Sequence, residues 1–203
     1  MSEAARVAQA LEAEGLDMLV LTTGVMAGPR REKTPEGIEH DLVVSYLSRF
    51  VILEALAARL KPGARVFVMG FPGTGQKADV TDLNSRRRYG RMRAHAATVA
   101  GNEALVLDLA ARHPHLSVFG LNPGFVKTGI RAQLFGARWI LSLMESLTAP
   151  MTRTAEDYVA GILPLLLSPD LAQGRAGVSG RKFDAEERAS DLWLGPRPTK
   201  WRV

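Results

Sequence analysis

The sequence predicts an α/β fold in which a parallel sheet is covered by helices on both faces. Three observations carry this. Short, nearly continuous apolar runs recur at Leu16–Leu21, Arg65–Met69 and Leu116–Leu121, the pattern of strands buried on both sides. Between them lie segments with helical spacing, as a crossover from one parallel strand to the next requires. No internal repeat or low-complexity linker interrupts the series, and 203 residues suit one domain spanning 1–203.

Ala4, Val7, Ala8 and Leu11 repeat at helical spacing, and Gly15 ends the segment. The first strand, Leu16-Asp17-Met18-Leu19-Val20-Leu21, is closed by Thr22-Thr23-Gly24, with a loop from Val25 to Lys33. Thr34-Pro35-Glu36 predicts a helix start, a capping hydroxyl followed by Pro at the first helical position. Ile38, Leu42, Tyr46, Phe50, Leu53, Ala57 and Leu60 then mark one helix face, stopped by Lys61-Pro62-Gly63. After the second strand, Gly70-Phe71-Pro72-Gly73-Thr74-Gly75 reads as a turn. A long helix is expected from about Met92 to Arg112, broken by His113-Pro114-His115. Asn122-Pro123-Gly124 turns away from the third strand. Trp139, Ile140, Leu143, Met144 and Leu147 suggest one more helix. Thr154-Ala155-Glu156-Asp157 starts another, which Pro164 should kink, and Val178 to Phe183 can hold a last short strand.

Composition excludes several classes. With no Cys there are no disulfides or thiolate ligands, and the four His do not cluster as a metal site would. Acids and alanines in Met1–Glu14 do not form a signal peptide. Arg49, Glu54 and Arg59 interrupt the longest apolar region, Leu42 to Leu60, so no membrane span is expected. A charge of +5 without an aromatic-interleaved basic stripe does not indicate nucleic acid. A cytoplasmic protein is the expectation.

The order of motifs resembles the short-chain dehydrogenase/reductase family, its retinol-dehydrogenase-like branch above all. Leu16-Asp17-Met18-Leu19-Val20 through Gly24-Val25-Met26 is similar to that family's "LDVLINNAGVM" strand and turn. Asp82-Leu83-Asn84-Ser85 matches its "DLNS" segment, and Asn122-Pro123-Gly124-Phe125-Val126-Lys127-Thr128 its "HPGxVxT" turn. The resemblance implies a partial Rossmann-like, doubly wound parallel sheet that lacks the N-terminal strands of the dinucleotide-binding half. It also implies that the apolar strand Asp17 to Leu21 is an open edge, to be covered by a second copy or a partner chain.

The family's functional residues do not carry over. Its Asn-Asn-Ala-Gly falls on Leu21-Thr22-Thr23-Gly24, its active-site Asn on Ser45, its catalytic Ser on Phe71, and its Tyr-x-x-x-Lys pair on His95 and Val99. That mechanism needs a Tyr hydroxyl to pass a proton and a Lys to lower its pKa and hold the nicotinamide ribose. Tyr89 lies six residues upstream; moving it into register would put Arg93 at the Lys position and break the match of Asn84, Gly101 and Asn102. No dinucleotide fingerprint is present, so no cofactor is expected.

The expected function is therefore non-redox: cyclase- or isomerase-type catalysis, or the binding of a partner or of a small hydrophobic or carbonyl-bearing ligand, in the old pocket. His95 and Ser45 are the candidate catalytic residues, and Thr22, Thr23, Met69, Phe71, Tyr46 and Asn122 the candidate substrate-binding ones. His95 can equally be a half-exposed helix histidine without a role. Arg86, Arg87, Arg88, Arg91 and Arg93 can clamp an anion or form a solvated surface, and Asn102 reads as a core hydrogen-bonding residue. The alternative is an NAD(P)-dependent oxidoreductase of a small carbonyl or alcohol, its cofactor-binding half supplied elsewhere.

Overall fold

The computed structural model describes residues 1–70, 76–123, 126, 154–172 and 192–193. Four strands form one sheet in the order β1 (Met18–Leu21), β2 (Arg65–Met69), β3 (Ser117–Leu121), β4 (Leu192–Trp193). The first three run parallel, with Val20 beside Phe67 and Phe67 beside Phe119. β4, which the sequence did not announce, adds antiparallel, Trp193 opposite Gly120. The parallel strands follow chain order in one direction, so the described sheet corresponds to one winding of a doubly wound fold.

Alternate side chains divide the core between the two faces of this sheet, as the two-residue period of a strand demands. Leu19, Leu21, Val66, Val68 and Val118 pack against α1 (Ser2–Ala10), α3 (Ser48–Leu56) and α4 (Arg91–Arg112), through Ala8, Leu53, Leu56, Leu105, Val106 and Leu109. On the other face Met18, Phe67, Met69, Phe119 and Leu121 meet Tyr158, Ile162 and Leu166 of α5 (Ala155–Leu166) and Leu171 of α6 (Pro169–Ala172). The rings of Phe67 and Phe119 stack with centroids 5.2 Å apart. Each such buried aromatic or aliphatic side chain stabilises the fold by roughly 1.5–3 kcal/mol through apolar area removed from water. Among the described residues no helix is long and apolar enough to cross a membrane.

The α5 start matches the expectation: Thr154 Oγ1 accepts from the Asp157 amide at 3.0 Å. Pro164 lies in the last turn of that helix, which ends two residues later. The helix expected to begin at Thr34 begins instead at His40. Gly37 takes a left-handed backbone (φ 77) and its amide donates to the Thr34 carbonyl, so Thr34–Gly37 closes as a turn. Glu39 supplies the cap, its carboxylate accepting from the Leu42 amide at 2.8 Å.

The helical run then passes from α2 (His40–Leu42) through a π-helical stretch, Val43–Leu47, into α3 without a break. An extra residue per turn rotates the faces downstream. Phe50, expected in the core, is 37% exposed, while Arg49 is buried. The expected Trp139–Leu147 helix, the turn residues Phe71–Gly75, Gly124, and the Val178–Phe183 strand lie outside the described residues.

Candidate functional site

The site is built where the π stretch faces α4. Wide turns of this kind are uncommon and are often found where side chains must be re-aimed for function. Asp41 and Arg49 flank the stretch and Ser45 lies inside it; all three are buried, in a helix otherwise apolar on that side.

Arg49 joins the carboxyl ends of two strands. Its Nε and Nη2 donate to the Thr23 carbonyl at 3.2 and 2.5 Å, and its Nη1 donates to the Met69 carbonyl and, at 3.0 Å, to Asn102 Oδ1. The amide of Asn102 donates in turn to the Ser45 and Thr98 carbonyls, each at 2.8 Å. Its core hydrogen-bonding role is the one expected. Burial pushes the guanidinium down to about 10, with the charge of Asp41 opposing that shift. It stays cationic at neutral pH.

Asp41 is fully buried and meets three polar partners. Ser45 Oγ lies 2.5 Å from Oδ1, while the Ala27 amide at 3.1 Å and His95 Nδ1 at 2.9 Å share Oδ2. The Val25 amide donates to Ser45 Oγ at 3.0 Å, fixing the hydroxyl against the loop that follows β1. The His95 side chain is 20% exposed, and its Nε2 has no partner among the described residues. Ser45 bonds the carboxylate rather than the imidazole, so this is not a serine nucleophile activated by histidine. It is an imidazole held by a buried carboxylate, with one ring nitrogen open.

Of the expected site residues, His95 and Ser45 thus meet on one carboxylate. Thr22 and Thr23 lie exposed just past the end of β1. Met69 enters the network through its carbonyl, its side chain packing toward the α5 face. The Tyr46 ring covers Gly101 and joins the opposite core. Asn122 follows β3, half-buried, and Phe71 lies outside the described residues. No group of three or more potential metal ligands occurs among the described residues.

The basic loop folds around Asp82, whose carboxylate takes the amides of Arg86, Arg87 and Arg88, leaving those three side chains exposed. Tyr89 donates its hydroxyl to the Gly28 carbonyl at 2.6 Å, and its pKa is raised by burial and then by Glu39. That hydroxyl is thus committed to the loop after β1.

No protein-family model matches the chain. It is 39% identical to an uncharacterized oxidoreductase of Saccharomyces cerevisiae, over 91% of this chain and 63% of the yeast protein. Against a probable oxidoreductase of Streptomyces antibioticus the identity is 30%, over 86% and 60%. The chain thus spans about three fifths of the length of these curated relatives. Among solved structures, a short-chain dehydrogenase/reductase from Serratia marcescens superposes with a TM-score of 0.56 at 21% identity, over 84% of this chain and 66% of that one. A short-chain dehydrogenase from Burkholderia cenocepacia, in complex with NADP, gives 0.53 at 24%, over 84% and 65%. These findings correct the expectation that no cofactor is involved. A protein of this fold carries NADP, and the yeast relative is named an oxidoreductase. They favour the redox alternative over the non-redox reading.

Proposed function

Because the chain is short-chain dehydrogenase/reductase-like in sequence and fold, we propose that it contributes the substrate side of an NAD(P)-dependent oxidoreduction of a small carbonyl or alcohol. The observation that carries the reading is His95 itself. The resemblance sets this imidazole where the family has its proton donor, and the ring is anchored to a buried carboxylate at 2.9 Å and open at its second nitrogen.

The described residues fit one end of such a cofactor. The hydroxyls of Thr22 and Thr23 are exposed at the carboxyl end of β1, where open α/β sheets bind their ligands. Those hydroxyls suit the ribose of a nicotinamide nucleotide. No glycine-rich turn leads from a strand into a helix N-terminus among the described residues, and the proposal places the pyrophosphate end outside them. When bound, the reduced nicotinamide supplies a hydride. His95 supplies the proton for the substrate oxygen, Thr22 and Thr23 hold hydroxyl groups by hydrogen bonds, and Arg49 keeps the β1 and β2 ends in register.

Titration of NADPH and NADH into the protein, followed by nicotinamide fluorescence, tests this. Saturable binding of one of them is expected, with Kd between roughly 0.1 and 1 mM, or about 4–5.5 kcal/mol. A small aldehyde should then oxidise the bound cofactor. No saturation by either up to a few millimolar overturns the reading.

A second element of the proposal concerns the sheet. Among the described residues β1 is hydrogen-bonded only to β2, and Val20 on it is 39% exposed. Apolar edges of this kind tend to pair. The outer edge of β1 is covered by another segment or by a second copy of the chain.

A further inference from the structure

A carboxylate taken wholly out of water is costly unless hydrogen-bonded and paired. Asp41 is such a group, yet Arg49, the buried cation nearest in sequence, turns its guanidinium to the carbonyls of Thr23 and Met69 and to Asn102 instead. Among the described residues the direct side-chain contact of Asp41 with a basic group is to His95 Nδ1 at 2.9 Å, while Arg49 acts on it at longer range. The other two donors come from rigid positions, Ser45 in the π stretch and the Ala27 backbone. The Ala27 amide can only donate, so Oδ2 acts as an acceptor, and the proton shared with the ring on that same oxygen is assigned to Nδ1. A histidine serving only the core would use both nitrogens. This one uses Nδ1 and leaves Nε2 open, on a side chain that solvent reaches.

From this we propose that Asp41 is the positioning residue for His95. It fixes the Nδ1–H tautomer and aims Nε2 at the substrate oxygen, while Ser45 and the Ala27 amide hold the carboxylate in place. The inference rests on the oxidoreductase reading for the identity of the reaction. In the reductive direction, the Nε2–H bond of the imidazolium breaks as the new O–H bond forms. The hydride comes from the reduced nicotinamide cofactor, leaving alcohol, oxidised cofactor and a neutral ring protonated at Nδ1. Solvent reprotonates Nε2. The Asp41–Nδ1 hydrogen bond persists throughout, so the carboxylate orients the ring and balances its charge without taking the proton, as buried carboxylates do in histidine-based relays.

The test is the tautomer, read from ¹⁵N shifts of histidine-labelled protein, with His95→Gln identifying the signal among the four histidines. The native ring should be Nδ1–H. Asp41→Asn, whose amide can turn an N–H toward the ring, should abolish that preference and lower kcat by about 10²- to 10⁴-fold with KM little changed. A native Nε2–H ring, or a tautomer unmoved by Asp41→Asn, overturns the assignment whatever the activity. If Asp41→Asn does not fold, His95→Gln carries the test. Its amide can still donate to Asp41, so the melting temperature should hold while kcat falls at least 100-fold; a smaller loss overturns the inference. A tautomer that responds as expected, in a protein that binds neither cofactor, supports the positioning role and overturns the oxidoreductase reading.

Discussion

Arg49 Nη1 lies 3.0 Å from Asn102 Oδ1, a bond that ties the helix carrying Ser45 to the helix carrying His95. Because the same guanidinium holds the Thr23 and Met69 carbonyls, one side chain sets the spacing of β1, β2 and α4 around the site. Arg49→Met should destabilise the protein by about 2–4 kcal/mol. Each buried acceptor left unmade costs roughly 1–3 kcal/mol, offset in part by removal of a desolvated cation. Arg49→Lys should recover little of this, since an ammonium is a point donor and does not span three acceptors. Urea melts would show the midpoint falling with the slope unchanged. Asn102→Ala combined with Arg49→Met should depart from additivity by about 0.5–3 kcal/mol; strict additivity would mean that the two residues act separately.

Gly101 on α4 is covered by the Tyr46 ring, and a Cβ there would lie 2.9 Å from Tyr46 Cδ2. Ala is the better helix former by about 1 kcal/mol, but overpacking against a ring wedged between helices costs about 1–3 kcal/mol. Gly101→Ala should therefore lower stability by about 1 kcal/mol. In a Tyr46→Ala background the clash is gone, and the same substitution should raise stability by about 0.5–1 kcal/mol. Thermal melts of the four proteins read the sign reversal, and its absence rules out the ring contact as the cause.

The three parallel strands and the α4 boundaries were legible because apolar runs and helical period are local signals, and β2 was read to the residue. His95 became visible through the resemblance to a family helix. Asp41 and Arg49 did not, although both sit four residues from Ser45 along the helix. Charged residues on an amphipathic helix ordinarily mark its wet side, yet these two share the stripe of Ser45 and are buried with it. The contacts that give them meaning join residues 53 or 54 positions apart. Periodicity does not see such pairs. The four-residue spacing Asp41–Ser45–Arg49, three polar groups along one helix stripe, was the signal available.

Tyr89 offers a test in alkali. Its pKa is raised, by burial first and then by Glu39, while its hydroxyl donates to the Gly28 carbonyl. A phenol whose folded pKa exceeds the unfolded value near 10 contributes stability below that value and loses it as the pH rises through the folded one. Tyr89→Phe should cost about 0.5–1.5 kcal/mol near neutrality, the worth of one hydrogen bond. The gap between native and variant should then narrow above about pH 10. A gap that stays constant from about pH 7 to 11 would show that the phenol does not ionise differently on unfolding.

The outer edge of β1 can be tested without knowing what covers it. In a parallel strand alternate amides point to opposite sides, so an edge strand protects only those that face its one neighbour. β1 has β2 on one side among the described residues. Hydrogen exchange of Met18–Leu21 therefore separates the cases: protection at every amide means the edge is paired, and rapid exchange at alternate amides means it is open and the proposal fails. Val20→Lys distinguishes the occupants. Val20 is 39% exposed, so the substitution should cost the folded chain little, and a lysine on an edge strand opposes pairing with another molecule. If a second copy covers the edge, sedimentation should show the native protein as a dimer at micromolar concentration and the variant as a monomer. If a segment of the same polypeptide covers it, both proteins sediment as monomers and the amides stay protected.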